Sequence, residues 1–266
     1  MRRPWPILGR LLLSAVTAAA VVGTVAIAGR EGSRSWIAIV PAYFYPGGSG
    51  ELAWETIAAT AREVPLRVIL NPSSGPGRLI DSTYAAACRR ARAAGARILG
   101  YVHTSYGLRD PELVRAEVVA YLEMYEVDGL FIDEMSSDPR SVPYYASLRR
   151  FITDRDPRLE VVGNPGTLTD EDYRSASTAD VVVLFEGTAE SFESFGPPAW
   201  ALRYPADGFA AIVHGARTER DMRRALNHAA AAHLGAIFIT DGDGPNPYDH
   251  LPGYWPREAA ALRESR

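Results

Sequence analysis

From residue 36 onward, apolar and polar positions alternate in blocks along the chain. Short apolar runs recur at 36–44 ("WIAIVPAYF"), 66–72 ("LRVILNP"), 97–104 ("RILGYVHT"), 128–134 ("DGLFIDE"), 159–165 ("LEVVGNP"), 180–187 ("DVVVLFEG"), 209–215 ("FAAIVHG") and 236–244 ("AIFITDGDG"). Each is short, rich in β-branched residues and bounded by turn residues, so each reads as a buried strand. Helical spacing fills the intervals at 51–63, 81–95, 110–125, 143–155, 169–176, 188–193, 218–233 and 256–264. Asp110-Pro111-Glu112 places a capping acid before a proline at the first helical position. Thr169 and Thr218 are read as the caps of two further helices, each followed by acids in the first turn.

Eight strand–helix units whose strands are apolar throughout call for a parallel sheet covered by helices. Residues 35–266 are therefore assigned to a single (β/α)8 TIM barrel, an architecture that takes about 250 residues. The competitor is an open doubly wound sheet, which would carry a glycine-rich phosphate loop after its first strand. "YPGGSGE" stands there instead, without the G-x-G-x-x-G spacing.

A parallel barrel gathers its functional groups at the C-terminal ends of the strands. In chain order the strands deliver Tyr43 and Tyr45, Asn71, His103 and Thr104, Asp133 and Glu134, Asn164, Glu186, His214, and Thr240 with Asp241. Polar loops following strands account for part of this series. They account less well for acids joined directly to apolar strands, as in "GLFIDEM". Successive strand residues point to opposite sides, so Asp133 and Glu134 cannot both follow the strand into the barrel mouth. Asp133, Glu134 and Glu186 are the candidate catalytic acids. Two carboxylates facing across a cleft suit glycoside cleavage, with one protonating the leaving oxygen and the other stabilising or attacking the cationic centre. Glu186 is read as the proton donor. Tyr43, Tyr45, Asn71, His103, Tyr106, Asn164 and Asp241 are the candidate substrate contacts. Asn71 and Asn164 each precede a proline and serve equally as turn devices. Structural salt bridges are the competing role for the acids, and packing for the aromatics.

Composition narrows the chemistry. The full chain carries a formal charge of −4. Residues 1–34 hold five Arg and one acid, leaving 23 basic and 31 acidic side chains, a net −8, on the remainder. Such a surface repels nucleic-acid phosphates, and no nucleic-acid partner is expected. The five histidines show no H-x-x-x-H or H-E-x-x-H spacing, and "DGDGPNPYD" lacks the closing glutamate of a calcium loop. No metal and no cofactor is expected. Cys88 is the sole cysteine, which excludes an intrachain disulfide, and is read as a buried structural thiol. At the N-terminus, basic "MRRPWPILGR" precedes 19 uncharged residues. Residues 1–34 are expected to be an export signal or, uncleaved, a membrane anchor at 11–29.

Seven stretches together resemble the spherulin-4 family. They are "VPAYFYP" (40–46), "VILNPSSGPG" (68–77), "ILGYVHTSYG" (98–107), "DGLFIDEM" (128–135), "VVGNPGT" (161–167), "VVLFEG" (182–187) and "AIVHG" (211–215). The resemblance implies a (β/α)8 glycoside hydrolase related to the endo-α-1,4-polygalactosaminidases. It also implies that Asp133, Glu134 and Glu186 occupy the family's acid positions. The implied substrate is an α-1,4-linked galactosamine or N-acetylgalactosamine exopolysaccharide of the kind found in microbial biofilms. The expectation is an exported, monomeric, endo-acting hydrolase. Its rival is a non-catalytic cell-surface module of the same fold that only binds glycan.

Overall fold

The computed structural model describes residues 36–264; the expected export signal or anchor lies outside the described residues. Eight parallel strands close into one barrel in sequence order, with β1 paired to β8. They are β1 (Ile37–Ala42), β2 (Leu66–Leu70), β3 (Arg97–His103), β4 (Gly129–Asp133), β5 (Glu160–Gly163), β6 (Val181–Thr188), β7 (Phe209–His214) and β8 (Ala236–Ile239). The covering helices are α1 (Glu51–Thr60), α2 (Ser82–Ala93), α3 (Pro111–Tyr125), α4 (Val142–Thr153), α5 (Asp172–Ser175), α6 (Ala189–Phe192), α7 (Glu219–Ala231) and α8 (Trp255–Glu264). The (β/α)8 expectation holds.

Local chemistry sets the helix starts. Asp110 accepts from the Glu112 N–H at 2.9 Å, with Pro111 at the first helical position. Thr218 and Asp221 form a reciprocal capping box on α7. Thr169 is a correction: α5 begins at Asp172, after a cap that makes no side-chain bond, and the buried Thr169 hydroxyl has no partner. The eighth strand is also shorter than its apolar run suggests. It ends at Ile239, and 240–254 form a loop without regular structure.

Helices lie close over the barrel. Tyr121 of α3 covers Gly100 of β3, where a Cβ would sit 2.5 Å from the ring, and its hydroxyl donates to the Leu70 carbonyl at 3.0 Å. At the N-terminal end, Glu160 of β5 receives Arg67 of β2 through paired bonds and Arg97 of β3 at 3.2 Å. This half-buried ionic clasp ties three strand starts together, away from the mouth. Cys88 is buried on α2, and burial pushes its thiol up to about 12.

Candidate active site

The register across the β3–β4 pair sets Tyr101 opposite Phe131 and His103 opposite Asp133. Tyr101 and Phe131 stack at 6.5 Å inside the barrel, which places His103 and Asp133 one level higher, at the mouth. Asn164 follows β5 directly and is 4 % exposed. Glu186 reaches the same space through an irregularity. The β6–β7 register slips between Val183 and Phe185, so Phe185 lies opposite Ala211 and Glu186 opposite Ile212. Phe185 packs outward on Phe192 of α6 at 4.7 Å, and its neighbour Glu186 turns inward. A bulge of this kind inverts the side-chain parity of everything beyond it.

One amide joins the two acids. Asn164 Nδ2 donates to Asp133 Oδ1 at 2.8 Å and to Glu186 Oε2 at 2.6 Å. Those two bonds bound the separation of the accepting oxygens at about 5.4 Å. The amide orientation follows from the same contacts, because a flipped amide would aim its oxygen at two carboxylates. Tyr248, from the loop after β8, donates to Glu186 Oε1 at 2.5 Å. Burial raises the Asp133 carboxyl above its usual range, and the charge of Glu186 adds to this; donation from Tyr101, the Glu134 N–H and Asn164 opposes it. The Asp133 carboxyl thus holds its proton to higher pH than an isolated one would.

Tyrosines enclose the pair. The Tyr43 ring meets Tyr101 edge-on at 5.6 Å and Tyr248 at 5.7 Å. Burial first, and then the carboxylate charges, raise the hydroxyls of Tyr43, Tyr101 and Tyr248, so each stays a neutral donor. Tyr101 and Tyr248 were not among the residues read from the sequence. Strand parity carried a signal for Tyr101, two residues before His103. Tyr248 lies 62 residues from its partner in an irregular loop, where no periodicity marks it.

The other candidates are placed around this centre. Glu134 has a left-handed backbone, φ 48°, and leaves the strand direction. Its carbonyl accepts from the Tyr106 N–H at 2.7 Å and the Thr104 hydroxyl at 2.8 Å, which hold that conformation. Its side chain stands half-exposed, 3.5 Å from His103 Nδ1. Tyr106 is exposed, also with positive φ. Tyr45 packs edge-on against Tyr84 at 5.4 Å, its hydroxyl 3.5 Å from Asp81. Asn71 accepts from the Gly75 N–H at 3.0 Å and shapes its own turn. Asp241 accepts from His250 and from the Gly253 N–H, each at 3.1 Å. The structure therefore unites Asp133, Glu186, Asn164 and Tyr43, and sets Tyr45, Asn71 and Asp241 in local contacts of their own. Among the described residues no group of three or more His, Cys, Asp or Glu is arranged to hold a metal. No helix there is long and apolar enough to cross a membrane.

A closed (β/α)8 barrel with a bridged carboxylate pair at its C-terminal mouth has a glycoside hydrolase-like layout. The chain belongs to the spherulation-specific family 4, whose model matches residues 38–262. It is 30% identical over 237 residues to Spherulin-4 of Physarum polycephalum, covering 84% of this chain and 69% of that protein. Among solved structures it is similar to Sph3 of Aspergillus clavatus, determined in complex with GalNAc. The TM-score is 0.73 at 27% identity, over 87% of this chain and 98% of that one. Cyclic α-maltosyl-(1→6)-maltose hydrolase of Arthrobacter globiformis shares the fold, with a TM-score of 0.57 at 10% identity over 88% and 81% of the two chains.

Proposed function

We propose that this protein is an exported glycoside hydrolase that cuts an α-1,4-linked galactosamine or N-acetylgalactosamine polymer within the chain. The observation that carries the reading is the Asp133–Asn164–Glu186 bridge, which holds the facing oxygens of two carboxylates within about 5.4 Å of each other. The similarity to Sph3, solved with GalNAc, supports the amino-sugar substrate. The apolar run before residue 30 supports export.

The chemistry follows from the pair. One acid gives its proton to the glycosidic oxygen as the bond to the anomeric carbon breaks; the other, ionised, meets that carbon on the opposite face. Water then attacks that carbon and displaces the carboxylate from it, while the first residue takes the proton of the water. A separation of at most about 5.4 Å between the facing oxygens supports this double displacement, whereas an inverting enzyme needs about 6.5–9.5 Å to admit water between its acids. The product therefore keeps its anomeric configuration. Tyr248 and Asn164 stabilise charge on Glu186, and Tyr101 and Asn164 stabilise it on Asp133.

The test uses purified full-length protein on galactosaminogalactan, with reducing ends counted and products sized by mass spectrometry. Wild type releases oligosaccharides, and Asp133→Asn and Glu186→Gln each lose at least about a hundredfold. An aryl glycoside with a good leaving group then separates the roles, since only the variant lacking the proton donor recovers its first step. Wild type that pulls down the polymer and releases no reducing ends, with neither substitution changing this, returns the protein to the glycan-binding class.

A further inference from the structure

Tyr248 reaches Glu186 from a 15-residue loop, 240–254, that has no regular structure to fix it. Its first residues are tied to the segment after β7, with the Ala216 N–H on the Thr240 carbonyl at 2.9 Å and the Gly215 N–H on the Gly242 carbonyl at 2.8 Å, and the Tyr248 ring packs on Phe238 at 6.4 Å. The Tyr43 N–H donates to the Tyr248 carbonyl at 3.2 Å, and the Tyr248 N–H donates to Asn246 Oδ1 at 3.1 Å. The loop also folds tightly on itself, since a Cβ on Gly242 would lie 2.0 Å from the Pro247 oxygen. Two residues beyond Tyr248, the His250 ring is held at both nitrogens by carboxylates. Nδ1 lies 2.5 Å from Asp249 Oδ1, and Nε2 lies 3.1 Å from Asp241 Oδ1. The second oxygen of Asp241 takes the Gly253 N–H at 3.1 Å. Asp241 thus gathers both His250 and Gly253 back to the end of β8.

A neutral imidazole has one N–H and one lone pair. With carboxylate oxygens at both nitrogens, a neutral ring would aim its lone pair at a negative charge. Only the imidazolium donates to both. We infer that protonated His250 is a positioning residue, a clasp between Asp241 and Asp249 that closes the 240–254 loop and sets the Tyr248 hydroxyl on Glu186. The inference rests on the glycosidase reading for its effect on rate, and on the loop geometry alone for the clasp.

The groups facing the ring are Asp249 and Asp241. Behind Asp241 lie Tyr254 and the buried Glu258, whose protonated forms its charge favours. The bond to Asp249 first, and then those to Asp241, raise His250 above the ordinary histidine value against the opposing effect of burial. A group raised on folding stabilises its contacts below its unfolded value and loses them as pH climbs through the folded one. The clasp is therefore closed in acid and opens toward alkaline pH. The ring is 50% exposed, so water and salt screen the effect.

Full-length wild type, His250→Gln, Tyr248→Phe and the double variant are assayed on galactosaminogalactan from about pH 5 to about pH 8, the range in which histidine charge changes. At the acid end His250→Gln falls roughly two- to fivefold below wild type, the worth of exposed ion pairs. Wild type then declines with rising pH until the two profiles meet. In the Tyr248→Phe background the His250 substitution has no further effect. Parallel wild-type and His250→Gln profiles, or independent losses in the double variant, overturn the inference. Should wild type cleave nothing, the glycosidase reading fails and the clasp is still decided by NMR. Tyr248 ring resonances that follow the His250 titration, and lose that dependence in Asp241→Asn, support it; Tyr248 resonances indifferent to the titration overturn it.

Discussion

Replacing Asn164 with leucine tests the bridge on which the site depends. The side chain keeps the same branching at Cγ, with methyl groups bulkier than the amide in a position 4 % exposed, and it removes the amide that serves both acids. A hydrogen bond to a charged group is worth about 1.5–3 kcal/mol. If the reacting pair carries one negative charge at a time, one such bond is forfeited at each step, or roughly ten- to hundredfold in kcat. The pH profile supplies a second readout. Donation from Asn164 opposes the upward shift that burial and Glu186 impose on Asp133. Without it the pair holds its proton to higher pH, and the alkaline limb of kcat/KM moves to higher pH. The assay is initial-rate release of reducing ends across pH, with thermal unfolding as the check on folding. Activity within about twofold of wild type, on a limb that has not moved, would refute the claim that this amide couples the two carboxylates.

Two further expectations concern the scaffold. Glu258 of α8 is fully buried, accepts the Ile239 N–H at 3.1 Å through one oxygen and leaves the other unpaired; burial holds its carboxyl well above the usual range. Its contribution is present in acid and lost as pH rises, so Glu258→Gln should gain thermal stability over wild type by an amount that grows from about pH 5 to about pH 8, and a constant difference would refute this. Gly100→Ala drives a Cβ to 2.5 Å from Tyr121 and should cost about 1–3 kcal/mol in denaturant unfolding, with no loss if α3 is free to lift away.

The barrel was legible because its strands are buried on both faces and so read as unbroken apolar runs, as in "VVVLF". Asp133, Asn164 and Glu186 were legible because each ends such a run. Two things were hidden. The β6 register slip leaves no mark in "DVVVLFEG", since every residue before Glu186 there except Asp180 is apolar on either parity. The roles of the 240–254 loop were hidden as well, because its contacts join residues far apart in sequence through irregular backbone. Asp241 illustrates the difference: its place at a strand end is visible in the sequence, and the contacts of its oxygens with His250 and Gly253 are not. Thr169 failed as a cap because the turn before α5 extends two residues further than the acids suggest.

The slipped register in β6 makes the inward turn of Glu186 hang on one residue, Leu184, staying out of the ladder. Were Leu184 drawn into the ladder opposite Ala211, so that the slip was lost, every later residue of the strand would trade sides: an aromatic ring would stand where a carboxylate now faces Asp133, and the acid would lie among the phenylalanines of α6. The closed sheet has no need of that extra residue. Descent within such a lineage can therefore convert a working enzyme into an inert sugar-holding relative by straightening one strand, leaving the acid in its motif for a reader of the sequence to mistake.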